Sequence, residues 1–281
     1  MKRVTTPILL LLSLMATLCA PAHGGGWTQP KGSGFVKFGQ FFLLADQNFD
    51  SNGDKMSITS SGFFSTHLYA EYGLLDRVTV GAYVPFLFHS YVNGLRYTSG
   101  LPDLPGMEAT HFGDVDVFVQ YGLIQNRAFV LSAGVLLGIP SGNSEGLLTS
   151  GDGEFNQMIR LEAGYSVPSL PIFIGLSTGF NNRTRGFDDE IRINAEVGLT
   201  IKEKVVLILK SLNTRSLQNG EGQIADGGIF SNDIDYSTLG PEVLVKDVIG
   251  GLGVTANYYW TLSGRNTIAN NSFTLGVFWE F

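Results

Sequence analysis

The most regularly spaced polar residues in this chain lie between Glu190 and Ile201, where they alternate with apolar side chains. Arg192, Asn194 and Glu196 occupy every second position. A β-strand directs successive side chains to opposite faces, so this segment predicts a strand with one charged face and one apolar face. Charges on an inward face could line a path and bias which solutes pass. They could equally form an ion-pair network that fills the interior, and both interpretations stay open here.

The same alternation assigns polar and aromatic side chains to the inner face of other predicted strands. The polar candidates for this lining are Asp114, Asp116, Arg160, Glu162, Arg192 and Glu196. The aromatic candidates are Tyr83, Phe118 and Tyr259. Rings beside polar groups suit a site for apolar or aromatic small molecules. The alternative is that the rings pack against one another to fill a narrow barrel.

The sequence does not indicate catalytic or metal chemistry. His89 and Ser90 could suggest a surface hydrolase, but no convincing serine, histidine and acid constellation accompanies them. A loop from Asp46 to Asp54 has alternating oxygen ligands, yet it lacks the glycine and glutamate of a calcium loop. We therefore expect a protein that is not an enzyme and that has no metal site and no cofactor.

The elements that would position these residues are about twelve antiparallel strands joined by connections that alternate short and long. The predicted strands are Gly34–Leu44, Ser57–Leu74, Arg77–Ser90, His111–Leu123, Arg127–Pro140, Glu154–Val167, Ile172–Asn181, Glu190–Ile201, Lys204–Thr214, Asp235–Val245, Gly250–Trp260 and Ser272–Phe281. Short turns on one side and long loops on the other are typical of a transmembrane β-barrel. The fold class predicted is therefore an all-β, antiparallel, membrane-spanning barrel.

The last predicted strand is the clearest membrane signal. One of its faces is wholly apolar and ends on an aromatic carboxyl terminus, and we interpret it as the membrane insertion signal: Phe273, Leu275, Val277, Trp279 and Phe281. Aromatic residues also cluster at both ends of the strands, as expected for interface girdles. At the short-turn end these include Tyr72, Tyr121 and Tyr165, and at the long-loop end Phe86, Phe88, Phe155, Phe180, Tyr258 and Trp260.

The amino terminus predicts export from the cytoplasm. Lys2 and Arg3 precede a short apolar run, and Ala20-Pro21-Ala22 is a cleavage site for a signal peptide. We expect residues 1–22 to be the signal peptide, 23–33 a short periplasmic lead too small to form a plug domain, and 34–281 the barrel. The net charge of −7 argues against a nucleic-acid partner. The expected location is the outer membrane of a Gram-negative bacterium.

Two segments carry a resemblance to a known family. His111-Phe-Gly-Asp-Val-Asp-Val-Phe-Val-Gln-Tyr-Gly-Leu123 and Leu68-Tyr-Ala-Glu-Tyr-Gly-Leu-Leu-Asp-Arg-Val-Thr-Val-Gly-Ala82 resemble strand–turn segments of outer-membrane proteins named for the meta-pathway of phenol degradation. The start Gly26-Trp-Thr-Gln-Pro-Lys-Gly-Ser-Gly34 is similar to that of related barrels. The resemblance places the chain near the fatty-acid and aromatic-hydrocarbon channels and implies uptake of hydrophobic compounds. Those larger channels carry an amino-terminal plug, which 23–33 is too short to supply.

Together these observations predict a monomeric outer-membrane channel for passive uptake of small hydrophobic or aromatic solutes. Its expected partners are outer-membrane lipid, the barrel assembly machinery and a small-molecule solute. The alternative is a closed barrel that acts as a surface anchor or adhesion protein through the long loops Tyr91–Thr110 and Arg215–Ile234.

Overall fold

The computed structural model describes residues 25–96, 103–221, 230 and 232–281, so the predicted signal peptide lies outside the described residues. The described chain forms fourteen β-segments in one sheet. They are β1 (Gly34–Phe49), β2 (Lys55–Leu75), β3 (Val78–Val92), β4 (Met107–His111), β5 (Val115–Gln125), β6 (Phe129–Ile139), β7 (Asn156–Ser166), β8 (Ile172–Asn182), β9 (Glu190–Ile201), β10 (Val205–Ser216), β11 (Asp235–Ile249), β12 (Leu252–Arg265), β13 (Thr267–Ile268) and β14 (Ser272–Glu280). In this part of the chain, no helix has the length and apolarity to cross a membrane.

The sheet closes on itself through β1. This strand pairs antiparallel with β2 on one side and with β14 and β13 on the other, so the described sheet has no free edge at that seam. Both β4 and β5 pair with β3, and both β13 and β14 pair with β1, so each of these pairs forms one interrupted barrel strand. The fourteen segments therefore make a closed antiparallel barrel of twelve strands, which confirms the predicted fold class.

Connections of two kinds define the two ends of the barrel. At the short-turn end, β9 and β10 are joined by a tight turn in which Lys202 and Glu203 have φ of 48° and 60°. Two consecutive residues with positive φ form the hairpin turn whose twist matches that of the flanking strands. The long-loop end carries the connections 93–106, 140–155 and 217–234. This asymmetry is the one that the sequence predicts.

The outer face of the barrel is apolar. Side chains that point outward near the middle of the wall, such as Ile159, Leu209 and Val277, are exposed. Aromatic residues flank this band: Tyr72, Tyr121 and Trp279 are exposed at the short-turn end, and Phe180 and Trp260 at the long-loop end. An apolar belt with aromatic girdles matches the hydrocarbon layer and its two interfaces.

One predicted girdle residue lies on the other face. Phe88 is buried inside the barrel, 5 % exposed, where its ring packs edge-on against Phe230 at 5.4 Å. The prediction was wrong because the pairing of β2 with β3 shifts register between Thr66 and Leu68. Since side chains alternate with a period of two, one extra residue in β3 moves every later side chain to the opposite face.

Candidate functional site

The candidate site is a cavity of about 590 Å³ in the long-loop half of the barrel, which we call the vestibule. Its lining includes predicted polar residues, namely Asp114, Asp116 and Arg192, and the predicted rings Tyr83 and Tyr259. Because each of these side chains comes from a strand or from the residue just before one, the closed wall of the barrel sets their positions. A cavity of this volume falls in the range of small-molecule sites.

An ion-paired cluster forms one wall of the vestibule. Arg183 lies within 3.0 Å of Asp152, 2.7 Å of Glu154 and 3.0 Å of Glu190. Glu190 also pairs with Arg192 at 2.9 Å. Burial raises the pKa of the Glu154 carboxyl in its loop, although N–H donors from Arg183 and Thr184 oppose that shift. The cluster ties the loops before β7 and before β9 to one rim of the vestibule.

Two further carboxylates face the vestibule from β5 and its entry. Asp114 accepts backbone N–H bonds from Gly142 at 2.8 Å and Asp152 at 3.1 Å, and so holds the loop between β6 and β7. Asp116 has no ion pair within 4.0 Å among the residues that the structure describes. Its neighbours in the sheet are Tyr83 on β3 and Gly138 on β6.

The other predicted polar residues lie deeper, toward the short turns. Lys210 pairs with Glu242 at 2.5 Å and with Glu196 at 3.7 Å. Arg160 pairs with Glu162 at 3.5 Å. These ion pairs lie along the inner wall below the vestibule, within one strand or between neighbouring strands, so the charges of the inner face are divided between a cavity and a packed layer.

The rings are divided in the same way. Tyr83 and Tyr259 line the vestibule. Phe118 lies below it, buried beneath the Arg160 guanidinium at 4.9 Å and stacked on Tyr69 at 6.2 Å. The sequence leaves open whether the inward rings face a ligand or pack against one another. In the structure, rings at the vestibule face the cavity, and the ring below it is packed.

The short-turn half of the interior is filled by an apolar cluster. Phe35, Phe173 and Phe278 pack there with aliphatic side chains from β10 and β11, namely Val206, Ile208 and Leu244. Sequence reasoning missed these three aliphatic residues, because the short-turn ends of β10 and β11 are apolar runs with no alternation to show which side chains point inward. Their burial closes the barrel below the charged layer.

The amino-terminal lead completes this closure. Trp27 packs edge-on against Phe173 at 5.9 Å and rests on Gly164, where a Cβ would lie 2.4 Å from the indole ring. The Gly26 carbonyl accepts hydrogen bonds from Ser132 at 2.5 Å and Gln125 at 2.9 Å. The described part of the lead, 25–33, therefore lies inside the short-turn end of the barrel.

Hydrogen bonds also fix the second half of the described lead to the barrel wall. The Gln29 backbone N–H donates to Thr79 Oγ1 at 2.8 Å, and its side chain donates to Glu71 at 2.8 Å. The Gly32 N–H donates to the Gly73 carbonyl at 2.8 Å. These nine residues of the lead lie beside the apolar cluster and, together with it, occupy the short-turn end of the interior. Glycines on both the lead and the wall are the sequence signal that could have indicated this close approach.

Other predicted features fall outside this interior. His89 points outward, where its ring lies near those of Phe64 and Tyr91 and its Nδ1 is 2.8 Å from Thr110 Oγ1. The loops proposed for adhesion include 97–102, 222–229 and 231, which lie outside the described residues. Across the ranges that the structure covers, no group of three or more His, Cys, Asp or Glu side chains is arranged to hold a metal ion.

Comparisons with known proteins match at the level of structure. No protein-family model matches the chain, and no curated protein does. The COG4313 outer-membrane channel from Pseudomonas putida F1 superposes with a TM-score of 0.66 at 14% identity, over 94% of this chain and 100% of that one. The fold is that of the bacterial outer-membrane barrels. A KdgM porin, solved with disordered oligogalacturonate, superposes with a TM-score of 0.51 at 8% identity, over 88% of this chain and 99% of that one.

The fold and the outer face together give the location. A closed antiparallel barrel pairs every wall strand, and the apolar band on its outside needs lipid to cover it. The protein is therefore an outer-membrane β-barrel of a Gram-negative bacterium. These comparisons agree on the outer-membrane barrel fold, and they do not confirm the resemblance to the phenol-degradation family.

Proposed function

We propose that the protein is a passive channel for small hydrophobic or aromatic solutes. The vestibule supports this proposal, because it combines rings with a few polar groups in a cavity large enough for such a solute. The fold supports the channel role, since the superposed COG4313 protein is itself described as an outer-membrane channel. Transport would be down the solute's own gradient, with the protein contributing the lined path.

Passage through the barrel would require the lead to move. Ser132 and Gln125 donate hydrogen bonds to it, Thr79 and Gly73 accept hydrogen bonds from it, and each bond is worth about 1 kcal/mol net. Adding the Gln29 side chain's bond to Glu71, the lead is held by several kcal/mol. Such a segment keeps the short-turn end closed most of the time and still opens by thermal motion.

A reversible cross-link tests both the channel and its closure. A disulfide between Gln29→Cys and Thr79→Cys would join the lead to β3. The two positions are close, since the Gln29 backbone nitrogen is 2.8 Å from Thr79 Oγ1. The chain's one cysteine, Cys19, precedes the expected mature start, so no native thiol competes. In planar bilayers we expect the oxidised double variant to fall to the current of a protein-free membrane, and a reducing agent to restore it.

The single variant Gln29→Cys is the matched control, because it cannot form the bridge and should conduct in either condition. Adding benzyl alcohol should interrupt the current as the solute occupies the vestibule. If neither the wild-type protein nor the reduced variant carries current, the channel proposal fails. If the oxidised variant conducts as well as the reduced one, the lead does not close the path.

We also propose that the barrel is a monomer, because one chain supplies the whole vestibule wall. The aromatic final strand, from Phe273 to Phe281, is proposed as the part that the barrel assembly machinery recognises. In support of this role, the Phe281 backbone exchanges hydrogen bonds of 3.0 and 2.9 Å with Gly34 at the closing seam.

A further inference from the structure

The vestibule carries more negative than positive charge. Its charged lining consists of four carboxylates and two guanidiniums: Asp114, Asp116, Asp152, Glu190, Arg183 and Arg192. Both guanidiniums are already engaged, Arg183 with Asp152 and Glu190, and Arg192 with Glu190. The formal charge of this lining is therefore negative, and both of its positive groups are ion-paired.

Asp116 is the vestibule carboxylate without a direct partner among the described residues, although the Arg192 and Arg160 guanidiniums attract it from beyond ion-pair distance. Asp114 is occupied by the backbone N–H groups of Gly142 and Asp152. Asp116 has no ion pair within 4.0 Å among the described residues, and it leans over Gly138, where a Cβ would lie 3.0 Å from its Oδ1. The absence of a side chain at Gly138 gives the carboxylate room to lie over this strand, and Asp116 lines the cavity from there.

The vestibule also holds buried acceptor oxygens that lack a donor. Asn181 is 1 % exposed, and its side-chain nitrogen donates to Asn156 at 2.5 Å, while its Oδ1 has no partner among the described residues. Asn257, on the opposite wall, also leaves its Oδ1 without a partner there. Both residues line the cavity. An acceptor left unpaired in a buried site is costly, so the occupant that satisfies it must bring N–H or O–H donors.

Aromatic rings stand beside this acceptor set. Tyr83 is the direct sheet neighbour of Asp116, which brings their Cβ atoms to about 5 Å of each other. Tyr259 and Tyr236 line the same cavity. A ring face attracts a cation, and the attraction grows when water is excluded from the site.

We propose, resting on the channel function above, that the vestibule binds amphipathic organic cations. The ammonium of the solute lies against Asp116 and the Tyr83 ring, where its charge is balanced and its N–H groups find acceptors. The apolar or aromatic body lies along the rings of the opposite wall. An uncharged solute of the same shape makes no direct ion pair with the carboxylate, and a carboxylate solute is repelled by it.

Three probes of matched size test the chemical class: phenethylammonium, 2-phenylethanol and 3-phenylpropionate. Calorimetric titration of each into the detergent-solubilised full chain measures binding, with protein-free micelles as the blank. We expect the ammonium to bind about tenfold more tightly than the alcohol, the order of one desolvated cation–π and charge contact. The carboxylate should bind most weakly. Equal affinities, or a preference for the carboxylate, would overturn the proposal.

Single substitutions test whether Asp116 and Tyr83 cause the preference for the ammonium probe. Asp116→Asn keeps the side chain's shape and should reduce the ammonium's affinity to that of the alcohol, while the alcohol's own affinity stays the same. Asp76→Asn removes the same charge from an exposed turn at the short-turn end and should change neither the ammonium's affinity nor the alcohol's. Tyr83→Phe should retain the preference and Tyr83→Leu should weaken it. A preference that survives Asp116→Asn contradicts the assignment.

Currents separate this inference from the channel proposal. Across planar bilayers with a gradient of phenethylammonium chloride, the reversal potential should show the organic cation as the preferred charge carrier. Current without any binding preference would overturn the inference and leave the channel standing. A binding preference without any current would overturn the channel proposal and leave the vestibule as a cation site.

Discussion

Lys210 illustrates how single residues decide the interior of this barrel. Its ammonium lies between two carboxylates, at 2.5 Å from Glu242 and 3.7 Å from Glu196. The second Glu196 oxygen, Oε1, has no hydrogen-bond partner among the residues described. Buried charges are tolerated only when they are paired, and removal of one member leaves the others unbalanced. Lys210 is therefore the cation that pairs directly with both carboxylates, although Lys37 also attracts Glu242 from a longer distance.

Replacing Lys210 with Met should lower the free energy of unfolding by about 3–5 kcal/mol, because two mostly buried carboxylates would lose their cation. Urea titration of the protein in phospholipid vesicles, followed by tryptophan fluorescence, measures this change. Lys204→Met, at an exposed position in the turn before β10, is the matched control and should have little effect. Equal losses in the two variants would show that the interior pairing does not carry this stability.

At the scale of elements, the tight turns decide how neighbouring strands meet. The turn between β9 and β10 places Lys202 and Glu203 at φ of 48° and 60°, a region that suits Asn and Gly far better. The backbone accepts this conformation because the pairing of Val205 with Ile201 leaves only three residues to connect the two strands. The turn is therefore strained, and the pairing of the two strands compensates for the free energy of that strain.

The double variant Lys202→Asn with Glu203→Gly should stabilise the barrel by about 1–2 kcal/mol, because it removes that strain. The same vesicle-based urea titration measures the gain. Asn52→Gly is the control: Asn52 lies in the turn between β1 and β2 and has no positive φ, so the added freedom should not stabilise the fold. A loss of stability in the double variant would contradict the strain argument.

At the scale of the whole molecule, the two faces of the barrel wall lie in different environments. Its outer surface carries a continuous apolar band, whereas the inner surface holds ion pairs, rings and a cavity. Both surfaces come from the same strands, because alternate side chains point to opposite faces. The requirement for apolar side chains in contact with lipid therefore applies only to every second residue of the wall.

An arginine on the outer band should be costly in proportion to its depth. Val277→Arg, near the middle of β14, should lower the free energy of unfolding in vesicles by about 2–4 kcal/mol. Ile201→Arg, beside the short turn and close to the interface, should cost about 0–1 kcal/mol. Both native side chains are exposed on the outer face, so neither change disturbs the interior. Similar costs at the two depths would contradict the predicted membrane position.

Local sequence pattern was enough to predict most of the wall. Glu190–Ile201 has the same bounds in the prediction and in the structure, because a strand between lipid and a polar interior must alternate. The prediction of Phe88 failed because a bulge depends on the pairing partner, which alternation within one strand cannot reveal. The inward Val206 and Ile208 were missed because both faces of β10 are apolar at that end.

The sequence by itself determined that this is an outer-membrane barrel of about twelve strands, since alternation, turn spacing and aromatic ends are local properties of the chain. Only the tertiary structure decided how the interior is divided. Closure of the sheet brings Asp116, Tyr83 and Tyr259 around one vestibule, and packs Trp27 with Phe173 and Phe278 into a filled end. Which inward residues meet across the lumen depends on strand register and on where the lead folds, and these are set by contacts between distant segments.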